Sequence, residues 1–265
     1  MTTPAVRELR RPTPGGPLVA FVHGLEDSWE SWLPLSHALP PAWSPVALDL
    51  PWRPGNDYQW RRRPSAQWLA DGLDRLGRRP DLLVAHSFGA NALLELLCVR
   101  DQRVPDTVML ICPLYRPPDV AVTWRVFERA RRAFERHIHD SLRSRLGKRL
   151  RAMEAEVVDL MIAKAVDRVG PAGFLTVFDQ FCASASLRLD RVTARVLVLA
   201  GGSDPTLSPA AARTLADGMP HASLSVGDGY DHFCYARQPE DVASRLRAFV
   251  DAIPVVTGHP KGAAT

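Results

Sequence analysis

Ser87, Asp204 and His232 are the residues whose types and spacing could do chemistry together. Ser87 lies in Ala85-His86-Ser87-Phe88-Gly89, after the apolar run Leu82-Leu83-Val84 and before a helical pattern that reaches Val99. A serine between small residues at a sharp strand-to-helix turn is a nucleophile elbow. The strained turn pushes the hydroxyl out at the strand end, where bulky neighbours would clash. The usual spelling is G-x-S-x-G, and Ala85 replaces the first glycine at small steric cost. A serine hydroxyl is a poor nucleophile at neutral pH and needs a base. His232, in Gly229-Tyr230-Asp231-His232-Phe233, is the candidate. The base in turn needs a carboxylate to fix its tautomer and stabilise the imidazolium. Asp204, in Gly201-Gly202-Ser203-Asp204-Pro205, directly follows the apolar run 195–200. Asp228 and Asp231 are its rivals, the first too few residues before the histidine to sit easily behind it, the second adjacent to it.

Acyl chemistry at Ser87 would also need hydrogen-bond donors for an oxyanion. The amide of Phe88, which opens the helix, is one candidate. The amide of Leu25 is the other, because Gly24 lets the chain turn tightly after His23. His23 and His86 read as orienting or packing residues, and His137 and His139, on a charged helix, as solvated ones. Candidates to line an apolar pocket beside the serine are His23, Gly24, Trp29, Trp52, His86, Phe178 and Phe181, with Trp32, Trp60 and Phe88 as further aromatics.

The elements that would position these residues alternate between strand and helix. Strands are expected at Leu18 to His23, Val46 to Leu50, Leu82 to His86, Thr107 to Cys112, Arg195 to Ala200 and Ala222 to Val226. Pro45 and Pro51 are expected to set off the second of these. Helices are expected at Ser65 to Gly77, with Ser65 as N-cap, at Phe88 to Val99, Pro209 to Gly218 and Pro239 to Ala252. Near-continuous apolar strands in such alternation indicate an α/β fold, with a mostly parallel, doubly wound sheet covered on both faces. The region 117–187 breaks the rhythm, with helical patterns at Trp124 to His137 and Ala152 to Val169 and no convincing strand. The expected organisation is a core of 1–116 and 188–265 with a helical cap of 117–187 over the strand ends, where ligands bind in open α/β sheets.

The chain has 265 residues, enough for one large domain with an insertion. Its formal net charge of +4 rests almost wholly on arginine, with lysine only at Lys148, Lys164 and Lys261. No nucleic-acid motif accompanies that charge, so a nucleic-acid partner is not expected. The first seventeen residues lack the apolar run of a secretory signal, and no stretch is apolar enough to span a bilayer. Cys98, Cys112, Cys182 and Cys234 are scattered without metal-ligand spacing, so neither a metal nor a cofactor is expected. Reduced thiols and a cytoplasmic location are the corresponding expectations. The tail from Val255 to Thr265 reads as frayed.

Taken together, these segments resemble the α/β-hydrolase-fold superfamily over about residues 15 to 253. The resemblance is carried by Phe21-Val22-His23-Gly24-Leu25 with Ser28-Trp29-Glu30-Ser31-Trp32, by the elbow, by the Gly201–Pro205 loop and by the Asp228–Phe233 loop, in the chain order Ser, Asp, His. It departs from the family at Ala85 and at Asp49-Leu50-Pro51-Trp52-Arg53-Pro54-Gly55, where many relatives have a compact D-x-P-G-x-G. The resemblance implies a Ser87-Asp204-His232 triad, an oxyanion hole at Leu25 and Phe88, and hydrolysis of an ester or thioester through an acyl-enzyme. The same scaffold also hosts lyases, C–C bond hydrolases and non-catalytic binders. The basic cluster Arg125, Arg129, Arg131, Arg132, Arg136, Arg143, Arg145, Lys148, Arg149 and Arg151 reads as a solvated face paired to Glu128 and Glu135. Its alternative reading is a docking patch for an acyl carrier protein or a coenzyme A-linked donor.

Overall fold

The computed structural model describes residues 3–252, without the side chains of Ser144, Arg145, Lys148, Leu150 and Arg151. The tail expected to fray, with Lys261, and three side chains of the basic cluster (Arg145, Lys148 and Arg151) therefore lie outside the described residues.

Chain order runs β1 (Ala5–Glu8), β2 (Leu18–Val22), α1 (Leu33–Ala38), β3 (Ser44–Asp49), α2 (Ser65–Asp74), β4 (Leu82–His86), α3 (Ser87–Val99) and β5 (Thr107–Ile111). It continues with α4 (Trp124–Leu146), α5 (Ala155–Ser184), β6 (Arg195–Gly201), α6 (Pro209–Asp217), β7 (Ala222–Gly227), α7 (Cys234–Arg237) and α8 (Pro239–Asp251). The seven strands form one sheet in the order β1-β3-β2-β4-β5-β6-β7, and every pairing is parallel except β1 with β3.

Period-two alternation explains how the sheet buries both faces. Along β2, Leu18, Ala20 and Val22 join one core with α2 and α3, whereas Val19 and Phe21 join the other with Trp32, Tyr235 and α8. Helix α8 buries Val242, Leu246 and Phe249 at helical spacing on that second face. Helix α3 is buried along nearly its whole length, as a crossover helix at the middle of the sheet must be. Its Asn91 side chain donates to Leu114 O and accepts from Leu114 N, both at 2.7 Å, which pins the chain leaving β5 against α3.

Four local expectations change. The sequence reading held no β1; its four residues are too few for a periodic signal, yet they pair with β3, and Arg7 reaches Asp49 at 3.0 Å. Pro45 does not precede β3 but lies within its first turn of pairing, opposite Val19, with its carbonyl accepting from Leu9 N. Ser65 is the first residue of α2 rather than its cap, and its hydroxyl accepts instead from the Gln180 amide at 2.8 Å. Between β5 and β6, α4 runs on past His137, and α5 starts at Ala155 and breaks at Gly170. Gly170 has φ +53°, a left-handed geometry, and Pro171 follows it, so the helix restarts in a new direction towards Ser184.

Gly89 sets the depth at which α3 meets β2. A Cβ there would stand 2.5 Å from the His23 carbonyl oxygen and 2.8 Å from a Val22 methyl. Gly89→Ala is therefore expected to lower stability by about 1–3 kcal/mol through overpacking. Thermal denaturation of the two proteins checks this, and an unchanged melting temperature would show that the contact relaxes freely.

Candidate active site

Strand β4 ends at His86, and Ser87 takes φ +50° as the first residue of α3. A serine held in the left-handed region is strained, and the surrounding packing must impose it. Gly24 supplies part of that packing: a Cβ on it would lie 3.1 Å from His86 Nδ1 and 3.3 Å from Ser87 Cβ. The turn at 24–25 is thereby laid directly against the elbow, and Gly24, Leu25 and Ser87 line one cavity. The amide of Phe88 lies in the first turn of α3, where amides have no intrahelical acceptor.

The loops after β6 and β7 are locked together by close backbone approach. A Cβ on Gly201 would lie 2.4 Å from Tyr230 O, and one on Gly202 would lie 2.8 Å from Asp228 O. The Gly202 amide donates to Gly227 O and the Ser203 amide to Tyr230 O, both at 2.9 Å. This pairing brings Asp204 and His232 together. His232 Nδ1–H donates to Asp204 Oδ2 at 2.8 Å, and Ser87 Oγ–H donates to His232 Nε2 at 2.9 Å. All three residues are buried. The other oxygen of Asp204, Oδ1, accepts from the Thr206 amide at 2.8 Å. Neither Asp228 nor Asp231 has this relation to the histidine; Asp231 pairs with Arg237 at 2.5 Å.

Burial alone would raise the Asp204 pKa. The charge of His232, the hydrogen bond from His232 and the nearby His137 ring together outweigh it and hold the carboxyl well below its usual range. His86 is fully enclosed, its Nε2–H donating to His232 O at 2.8 Å, and burial followed by the nearby His232 keeps it neutral. Cys112, Asp204 and His232 also offer possible ligand atoms within 4.8 Å of one another. The Asp204 and His232 atoms that face each other are already joined by a hydrogen bond, however, and the Cys112 thiol is pushed up by a hydrogen bond with Cys234 and by burial. That set supports the hydrogen-bond chain rather than offering a metal ion deprotonated ligands.

The cavity at Ser87 has a volume of about 220 Å³ and is roofed by Phe134, His137, Ile138 and Leu142 of α4 and by Ala165, Arg168 and Val169 of α5. A second cavity of about 440 Å³ abuts it, with Leu114, Phe134, His137 and Val177 lining both. Its walls include Val120, Val126, Phe174, Phe178 and Phe181. Phe178 and Phe181 thus line this outer chamber, and His86, Gly24 and Leu25 the inner one. The remaining expected lining residues are elsewhere. Trp52 is fully buried against Trp60 and Phe88, donating its indole N–H to His23 O at 3.1 Å. His23 accepts from the Leu50 amide and donates to Gly24 O, so it shapes the turn without reaching the cavity. Trp29 lines a separate surface hollow with Glu30, Leu33 and Arg53, and Trp32 packs on the far side of the sheet with Phe21 and Tyr235.

His137 corrects the sequence reading most sharply. It is not solvated: its ring stacks on His232 with centroids 3.9 Å apart and planes 11° apart. Its Nε2 lies 2.9 Å from Thr206 Oγ1 and 3.7 Å from Asp204 Oδ1. His139, by contrast, is exposed. The signal was in the spacing: His137 belongs to the stripe Val126, Ala130, Ala133, Phe134, Ile138, which faces the cavity, and not to the arginine face. Sequence reasoning also missed Glu26, at φ +55°, which accepts from Tyr58 and Asn56 and is bridged to Arg168 of α5 at 2.8 Å.

Comparison with known proteins gives the same architecture. A sequence model described as "Alpha/beta hydrolase family" matches residues 19–245. A membrane phospholipase A described as a bacterial virulence factor superposes with a TM-score of 0.69 at 19% identity, over 91% of this chain and 80% of that one. The enol-lactonase from Burkholderia xenovorans gives 0.62 at 18% identity, over 94% and 95% of the two chains. A haloalkane dehalogenase from Bradyrhizobium elkani gives 0.63 at 20% identity, over 94% and 96%. No curated protein matched the sequence. Among the described residues, no helix is long and apolar enough to cross a membrane.

Three buried histidines make the fold sensitive to acid. Burial lowers the pKa of His23 and His86, and burial together with the nearby His232 lowers that of His137 to about 4. An unfolded histidine titrates near 6.5, so below that pH the unfolded chain binds protons that the native chain does not. Stability is then full above about pH 6.5 and falls as the pH drops towards the folded values, by up to about 1.4 kcal/mol per pH unit for each histidine. Urea unfolding between pH 7.5 and 5 is expected to show this slope, and His86→Gln is expected to make it shallower. An equal slope in both proteins would remove His86 from the account.

Proposed function

The chain belongs to the alpha/beta hydrolase family, and within it we propose a serine esterase or thioesterase that works through an acyl-enzyme. The observation that carries this reading is the unbroken hydrogen-bond chain from Ser87 through His232 to Asp204, opening on a cavity with an apolar outer chamber. His232 takes the Ser87 proton as Oγ bonds to the acyl carbon, and the carbonyl π pair moves onto oxygen. The amides of Leu25 and Phe88 are suited to hold that oxyanion, since Leu25 lines the cavity with Ser87 and Phe88 follows the serine in the first turn of α3. As the tetrahedral adduct collapses, His232 gives the proton to the departing alcohol or thiol. Water then enters, loses a proton to the same imidazole, attacks the ester carbon and releases the acid and free Ser87. Asp204 stays ionised throughout and holds the imidazolium it faces.

The walls of Phe174, Phe178, Val120 and Val126 fit an apolar acyl group beyond the inner cavity, under helices that act as a cap. On the inner chamber the Arg168 guanidinium is already bridged to Glu26, and on the outer one the charged wall is limited to Asp119 and Arg129. The exposed arginines of α4 leave room for an anionic thioester carrier as acyl donor, with Arg131 already held between Glu128 and Glu135.

A fluorophosphonate probe is expected to add once to the protein by intact mass, and not at all to Ser87→Ala or His232→Ala. Turnover in Ser87→Ala should fall by about 10⁴-fold or more. With p-nitrophenyl esters and acyl-coenzyme A thioesters of rising chain length, kcat/KM is expected to climb about fourfold per buried methylene until the chamber fills. Folded protein that takes no adduct would overturn the acyl-enzyme reading, and a flat chain-length profile would overturn the apolar chamber as the acyl site.

A further inference from the structure

His232 must hold one ring plane if its two nitrogens are to point at Ser87 and Asp204 together, and its own torsion does not ensure this, because the second side-chain torsion of histidine is broad. The ring is held from both sides. On one side His86, from β4, lies 4.8 Å away between centroids and is tied to the His232 carbonyl. On the other side, among the described residues, the only stacked ring comes from the segment between β5 and β6, at His137. We propose that His137 is a positioning residue for the catalytic histidine, a ring that α4 delivers to fix the plane of His232 and keep water from its outer face. This rests on the reading of Ser87, His232 and Asp204 as a catalytic triad.

Thr206 makes the arrangement specific. Its amide donates to Asp204 Oδ1 while its hydroxyl lies 2.9 Å from His137 Nε2, so one residue orients both the acid and the stacked ring. A phenylalanine could stack in the same place but could not make the bond to Thr206. The side chain of His137 is only 12% exposed. Burial, and secondarily the neighbouring His232, hold its pKa at about 4, so the ring is neutral where His232 must accept a proton. A neutral ring desolvates its neighbour without adding a competing charge, whereas a cation stacked at this distance would oppose formation of the imidazolium.

The other titratable and charged groups near His137 come from several elements. Asp204 lies after β6 and His232 after β7, with His86 of β4 beyond His232. On α4 itself is Asp140, which pairs with Arg237 of α7, and Arg237 also holds Asp231. Across the cavity Arg168 of α5 is bridged to Glu26. None of the pairs made by Asp140, Arg237, Arg168 and Glu26 includes His137, so they are left in place when its ring is changed.

The test compares wild type with His137→Ala, His137→Phe and Thr206→Val, each first shown to be folded by circular dichroism and thermal denaturation. Fluorophosphonate labelling of wild type tests the triad separately: without an adduct the triad reading fails, and this proposal fails with it. With labelling established, His137→Ala is expected to lower kcat about 10- to 100-fold at little change in KM. Water reaching the exposed face favours the imidazolium, so the acid limb of kcat/KM should move to higher pH. The downfield proton resonance of His232 Nδ1–H should broaden through exchange. His137→Phe should keep the resonance and the position of the limb while losing part of kcat, and Thr206→Val should lose a similar part. Wild-type kcat and pH limb in His137→Ala would overturn the proposal. So would a fall in kcat with no movement of the limb and no rescue by His137→Phe, which would mark a merely structural role. If His137→Ala does not fold, His137→Phe and Thr206→Val decide: both at full wild-type kcat would overturn it.

Discussion

Asp204 is an ionised carboxylate whose side chain has no exposed surface. Removing an unpaired charge from water costs several kcal/mol, so the site stands only if the surroundings supply donors. They come from separate pieces of chain: Thr206 N–H on its own loop and His232 Nδ1–H from the loop after β7, with the His137 ring of α4 packed beside them, its Nε2 3.7 Å from Oδ1. Losing either donor leaves a buried charge short of a partner, which is why the geometry of the whole site is coupled to this group. The same constraint sets the tautomer of His232. With Nδ1–H committed to the carboxylate, Nε2 is the lone-pair nitrogen that faces Ser87.

That network is held by backbone rather than by long side chains. Gly201 and Gly202 approach Tyr230 and Asp228 so closely that no Cβ fits, and the two loops become one unit at the sheet edge. Gly89 does the same for the elbow and Gly24 allows a tight approach beside it, so the turn after β2 and the start of α3 lie against each other. Ser87 can then be kept at positive φ, because the surrounding packing over-determines it. Large aromatics support this frame from outside the cavity. Trp52, with its indole bound to His23 O, and Trp60 pack against Phe88 and back the elbow without touching the space a substrate would use.

What could be read from the sequence follows from how local each signal is. The inner parallel strands announce themselves as apolar runs, because burial on both faces leaves few polar positions in them. The elbow and the loops with Asp204 and His232 were legible because glycine and turn residues mark where a strand ends. Pocket membership is legible only in part: Gly24, His86, Phe178 and Phe181 line the two chambers, and three others do not. Trp29, Trp52 and His23 are near the serine in sequence context, but the sheet face on which each side chain falls is decided by register and by the irregular segment 50–64, which no period describes. His137 was misread because its neighbours are arginines. The outward face of α4 dominates its composition, while the inward stripe reveals itself only when residues are counted at spacings of three and four. The edge strand β1, four residues long, gains its order from pairing with β3 rather than from its own pattern.

The insertion between β5 and β6 therefore does two things with the same helix. Phe134 and Ile138 of α4 shape the space above Ser87, and His137, between them in sequence, stacks on His232. A helix advances 1.5 Å per residue, so a small slide or roll of α4 changes the cavity wall and the stacked ring together. On the proposed reading, specificity and the alignment of His232 cannot vary independently in this chain, because both are read out from one rigid element. The bridge from Arg168 to Glu26 extends that coupling to the other side, where α5 holds the turn that carries the Leu25 amide. On that reading the helices above the sheet are part of the arrangement that aligns Ser87, His232 and Asp204, and not a cover added to a site already complete beneath them.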